Sequence, residues 1–65
     1  MMLKVIEVLS ESDKSWEDAA ANAVTTASKS VRQVKSINIE NFQATVENDK
    51  IVKYRINAKI SFVLE

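Results

Sequence analysis

The residues able to do chemistry in this chain are few, and most are carboxylates and one well-placed arginine. Arg55 sits inside an alternating stretch near the end of the sequence. Its planar fork suits a phosphate or carboxylate ligand. The other use for it is an ion pair with Glu40 or Glu47 of a neighbouring copy. Glu11, Asp13, Glu17 and Asp18 form an acidic group that could contribute oxygen ligands to a hard cation. The preferred reading of the same four is that they cap a helix and keep the surface soluble. No glycine is present to shape an EF-hand loop or a phosphate-binding loop, and the metal ligand set is left unknown. Histidine and cysteine are absent, which removes the usual general base, thiolate nucleophile and transition-metal ligands. Serine and threonine are plentiful, yet no base is spaced to activate one. The carboxylates show no acid–base pairing. An enzyme is therefore not expected, and no catalytic residue is assigned.

A strand must position Arg55. From Ile51 to Leu64, Val52, Tyr54, Ile56, Ala58, Ile60, Phe62 and Leu64 alternate with Lys53, Arg55, Asn57, Lys59 and Ser61. Strict alternation predicts a β-strand with one dry face and one wet or ligand-facing face. Its length in a 65-residue chain predicts the centre of the sheet. Leu3 to Leu9 predicts a first strand, apolar on both sides and so covered on both. Val34 to Glu47 predicts a second. Its apolar side changes near Asn41, which predicts a bulge there. Asn48-Asp49 predicts the hairpin turn between the last two strands. With Glu47 opposite Lys50, Ile37 meets Ile60, Ile39 meets Ala58, Gln43 meets Tyr54 and Thr45 meets Val52. On the reverse face Phe42 meets Arg55, Asn38 meets Lys59 and Ser36 meets Ser61. A bulge would shift the pairs beyond it by one.

A helix is predicted from Trp16 to Arg32. Trp16, Ala19, Ala20, Ala23, Val24, Ala27 and Val31 fall at spacings of three and four, forming one apolar stripe. Ser15 and Asp18 predict a capping box, with Asp18 reaching back. Lys29 and Arg32 fall in the last turn, where the helix dipole favours positive charge. The stripe is mostly alanine, so the helix can lie close on the sheet with Trp16 as its large anchor.

The expected fold is α+β, in the order β-α-β-β, with a three-stranded antiparallel sheet of strand order 1-3-2 packed on one helix. Residues 1–65 read as a single domain. The reverse face, carrying Lys53, Arg55, Asn57, Lys59, Phe42 and Ile51, is too mixed for plain solvent exposure and predicts an interface or ligand surface.

Bulk properties narrow the partners. A domain this short buries a limited core, and disulfides are impossible without cysteine. Self-association is the remaining route to stability. Nine basic and nine acidic residues cancel, so nucleic acid is not an expected partner. No apolar run reaches membrane-spanning length, and charges interrupt Met1 to Glu7, so neither a membrane nor a signal peptide is expected. The default compartment is cytoplasmic.

At this point the chain resembles the dodecin family along nearly its whole length. The resemblance rests on Lys4-Val5-Ile6-Glu7, Ser15-Trp16-Glu17-Asp18-Ala19-Ala20, Ala23-Val24, Tyr54-Arg55-Ile56 and Ile60-Ser61-Phe62. It implies a hollow homododecamer that stores or scavenges a small ligand at subunit interfaces without catalysis. Flavin (riboflavin or FMN) is the ligand it implies first. Flavin-binding members stack the ring on a Trp early in the second strand and pair its edge with a Gln in the third. By position these fall at Ser36 and Arg55. Serine offers no π-face, and arginine only donates hydrogen bonds. The Ser-Trp-Glu helix start and Tyr-Arg-Ile are similar to calcium-type dodecins, which implies calcium as the other possible ligand.

Overall fold

In the computed structural model, which describes residues 1–64, β1 (Leu3–Ser12), α1 (Trp16–Ala27), β2 (Val34–Glu47) and β3 (Lys50–Val63) follow one another. Glu65, the last residue of the expected single domain, lies outside the described residues. The three strands form one antiparallel sheet in the order β1-β3-β2, as the alternation of β3 predicts.

The helix packs on the even-numbered side of β3. Ile56, Ala58, Ile60 and Phe62 are buried there, and Ala19 and Ala23 are the helix residues buried with them. Val8, Trp16, Ala20, Ile37 and Ile39 surround this small core. Alanine on the helix removes the side-chain bulk that would otherwise hold it away from the strands.

The helix is shorter than its apolar spacing predicts. It ends at Ala27, with Ser28 as C-cap, so Lys29 and Arg32 lie beyond the last turn. Val31 keeps its position four residues after Ala27, and its amide still bonds to the Ala27 carbonyl at 2.9 Å. It does so from a turn rather than a helix. Ser28, Lys29 and Ser30 offer the sheet nothing apolar, and the chain then passes through Gln33 at φ 53° to enter β2. A left-handed φ at a glutamine costs roughly 1 kcal/mol or more.

The capping box is half as expected. Ser15 Oγ accepts from the Asp18 amide at 2.9 Å. Asp18 does not reach back to Ser15. Its carboxylate accepts from Ser12 Oγ at 2.6 Å. Ser12 Oγ in turn accepts from the Lys14 amide at 2.9 Å. This cluster exists because β1 runs to Ser12 instead of stopping at Leu9. The polar residues Ser10, Glu11 and Ser12 continue the strand because each has a partner across the sheet or on the helix. Ser10 Oγ, for example, donates to the Ala19 carbonyl at 2.8 Å.

The β2–β3 register carries the expected bulge and a second one. Ile39 faces Ala58 and Asn41 faces Asn57, so Glu40 is the extra residue on β2. Thr45 faces Lys53 and Val46 faces Ile51, so Val52 is the extra residue on β3. The two bulges cancel. Ser36–Ser61, Ile37–Ile60, Asn38–Lys59 and Ile39–Ala58 therefore pair as a bulge-free hairpin would pair them. Between the bulges everything moves by one. Gln43 faces Arg55, not Tyr54, and Thr45 faces Lys53, not Val52. Phe42 faces Ile56 on the helix side, not Arg55 on the outer side. A further irregularity at the open end makes Lys35 an extra residue between Val34 and Ser36.

Helix and hairpin differ greatly in length. Twelve helical residues rise about 18 Å. Fourteen strand residues reach about 46 Å, which sets the molecule's 48 Å long axis. The helix thus covers less than half of the hairpin, and Val46, Ile51 and Val52 are left exposed at its tip.

Candidate functional site

The outer face of the sheet, away from the helix, gathers the polar residues of β3 singled out above together with Ser36 and Glu11. Alternation from the buried Ile56, Ala58 and Ile60 places Arg55, Asn57, Lys59 and Ser61 on this face. Their neighbours on β1 are Glu11, Leu9, Glu7 and Val5. On β2 they are Gln43, Asn41, Asn38 and Ser36.

Side-chain bonds cross this face from strand to strand. At the open end Ser36 Oγ lies 2.5 Å from Ser61 Oγ. In the middle, Lys59 Nζ is 3.1 Å from Glu40 Oε1, and Glu7 stands opposite Lys59 on β1. The hydrogen bond and charge of Glu40, with the charge of Glu7, raise the Lys59 pKa above its usual 10.5. Nearer the turn, Arg55 Nε donates to Glu11 Oε2 at 2.7 Å, and its Nη2 donates to the same oxygen. Within the protomer the partner of Arg55 is thus Glu11 of its own chain. The cause is the length of β1: reaching Ser12, it sets Glu11 directly across from Arg55. Both side chains remain about one-third exposed (32% and 35%), so the pair contributes modestly to stability. Among the described residues, the buried Asn57 Oδ1 has no hydrogen-bond partner.

Ser36 and Arg55 share this face without meeting. Ser36 pairs with Ser61, six residues along β3 from Arg55, a separation of roughly 20 Å. Only a second copy could bring the two positions together. The acidic group does not converge either. Glu11 is committed to Arg55 and Asp18 to Ser12 and Asn22, and Glu17 lines a notch beside Trp16. Among the described residues, no three His, Cys, Asp or Glu side chains gather to hold a metal ion. A calcium cage does not fit within one protomer.

The aromatic residues all lie on the other side. Trp16 meets Tyr54 edge-on at 5.0 Å and 78° and Phe42 at 5.8 Å and 81°. Its Nε1 donates to the Gln43 carbonyl at 2.8 Å. This is the anchor predicted for Trp16, tying the start of the helix to the hairpin. Phe62 is buried, in alternation with Ile60. A stacked flavin ring does not fit the outer face, which has no aromatic surface to offer. Ser12 is the residue here that sequence reasoning missed, along with the position of Glu11 on β1 opposite Arg55. The alternation that carries β1 through Ser12 shows in burial, with Ile6, Val8, Ser10 and Ser12 turned inward, and not in the apolar pattern of the sequence.

A model of the family described as Dodecin matches residues 2–65. This chain belongs to the dodecin family. The calcium dodecin of Mycobacterium tuberculosis is 36% identical over 59 residues, covering 91% of this chain and 83% of its own length. The crystal structure of a calcium dodecin from the same organism, described as calcium-chelating with a novel calcium-binding site, is 32% identical. It aligns with a TM-score of 0.87 over all of this chain and 93% of that one. The dodecin of Streptomyces coelicolor aligns with a TM-score of 0.94 at 26% identity, covering 98% and 91%. The β-α-β-β order and 1-3-2 sheet are thus the dodecin fold. Flavin and calcium are both ligands compatible with membership of the family.

Proposed function

We propose that this dodecin assembles from copies of one 65-residue domain into a hollow homododecamer that binds a small ligand at its subunit interfaces without catalysis. The observation that carries the reading is the apolar surface a lone protomer leaves uncovered. Leu3, Val5 and Leu9 are about half exposed on the outer side of β1, and Phe42, Val46 and Ile51 near the hairpin tip are similarly open. The shape agrees. A compact chain of this length has a radius of gyration of about 11 Å, against 13.1 Å here. A compact monomer of this mass exposes about 4200 Å², against 4788 Å² here. A chain with so small a core gains stability by burying the excess against itself.

The interface is also where ligand positions would form, since Ser36 and Arg55 can meet only between copies. The absence of histidine and cysteine supports a binding role over a catalytic one. No helix of the described residues is long and apolar enough to cross a membrane. The balanced charge supports neither nucleic acid nor an anionic lipid surface as partner, and the reading places the assembly in the cytoplasm.

The second reading is a calcium-binding assembly, favoured by the relative whose name carries that metal. In this reading the carboxylates converge only across an interface. Calorimetric titration with calcium tests it: saturable heat at a fixed number of sites per particle supports it, and a flat titration of the assembled particle refutes it. Native mass spectrometry tests the assembly itself.

A further inference from the structure

We propose that the outer face of the sheet selects against planar ring ligands held by stacking, flavin included, and that its polar groups favour ligands held by charge and hydrogen bonds. The inference deepens the interface-binding reading above and rests on it. The chain has four aromatic residues in all: Trp16, Phe42, Tyr54 and Phe62. Trp16, Phe42 and Tyr54 form one edge-to-face cluster on the helix side, and Phe62 is buried on that side. The bulge at Glu40 is what turns Phe42 toward the helix, by setting it opposite Ile56.

The consequence holds wherever two outer faces meet. Every copy carries the same outer face, so no arrangement of copies can place an aromatic side chain from this face against a ring. Besides the exposed Leu3, Val5 and Leu9, what the face offers is already cross-linked. Ser36 is bonded to Ser61, Lys59 to Glu40 and Arg55 to Glu11. A ligand must exchange bonds with these groups, and a ring held mainly by stacking has nothing to gain from them. A small charged or hydrogen-bonding ligand can compete for Arg55 or Lys59 directly.

Ser36 is the position where this selectivity is decided. It is exposed in the protomer and lies on the edge strand β2. The test is titration of riboflavin with the assembled protein, followed by quenching of flavin emission, with native mass recorded on the same samples. The unaltered protein should leave riboflavin emission unquenched with protomer in large excess. Ser36→Trp should quench it, with apparent binding tightened by about two- to tenfold, as one added aromatic contact gives. Ser36→Phe should act in the same direction and serves if the Trp variant does not fold. Quenching by the unaltered protein would overturn the inference. So would a folded, assembled Ser36→Trp or Ser36→Phe that gains nothing. The mass readout is separate: a monomeric particle refutes the assembly reading, whatever the flavin does.

Discussion

Removing Trp16 should loosen the joint between helix and hairpin, and the size of the effect can be built from its contacts. Trp16 makes two edge-to-face contacts, with Tyr54 and Phe42, each contributing about 0.5–1.5 kcal/mol. Its Nε1 bond to the Gln43 carbonyl adds about 0.5–1.5 kcal/mol, toward the lower end because water can replace it. Full truncation of a buried aromatic costs about 3–5 kcal/mol. Trp16 is only half-buried, so Trp16→Ala should cost about 2–4 kcal/mol per protomer on the same contact sum. Trp16→Phe keeps a ring and loses the donor, so about 1 kcal/mol is expected. The assay is urea unfolding by far-ultraviolet circular dichroism at one fixed protomer concentration, because association shifts the midpoint. The unaltered protein, Trp16→Phe and Trp16→Ala should unfold in that order of decreasing stability. A Trp16→Ala protein within about 0.5 kcal/mol of the parent, the range of ordinary surface changes, would refute the anchor argument.

Two further outcomes follow from particular residues. Gln33 holds a left-handed φ of 53°, and its carbonyl accepts from the Val63 amide. Gln33→Gly relieves the strain and keeps that bond, so thermal denaturation should show a midpoint raised by about 4–8 °C, the shift expected for about 1 kcal/mol in a domain this size; an unchanged or lowered midpoint would contradict the strain. Lys59 has a pKa raised by Glu40 and Glu7. A raised pKa means the folded state holds this proton more tightly. The stability it confers is present below 10.5 and is lost as pH rises through the folded value above it. Lys59→Met should therefore unfold with a shallower loss of stability above pH 10.5 than the parent, and identical alkaline profiles would contradict the pairing.

Much of the architecture was legible because β3 states its period without interruption. Given that axis, the topology left one solution, and the change of apolar side near Asn41 located the first bulge to within a residue. The second bulge, at Val52, was hidden by the same regularity: the alternation runs straight through it, and only cross-strand pairing reveals it. The helix end was misread because Val31 keeps helical spacing while sitting in a turn. Spacing reports which residues face the core, not which backbone hydrogen bonds carry them there. The outer face was the least legible part. Glu11 lies past Leu9, where the apolar pattern ends, and its pairing with Arg55 depends on β1 continuing through the polar residues Ser10 to Ser12. Phe42 was placed on the wrong side for a related reason, since a one-residue bulge reverses every side chain beyond it. Ser36 and Arg55 were correctly placed on one face, but the distance between them could be read only from the register.

The claim on which the rest depends is that a lone protomer cannot bury enough of itself. Native mass spectrometry of the protein at low micromolar protomer concentration addresses it directly. The account predicts one dominant species of twelve protomers, each of 7.3 kDa. A stable 7.3 kDa monomer with full strand and helix signal under the same conditions would contradict it.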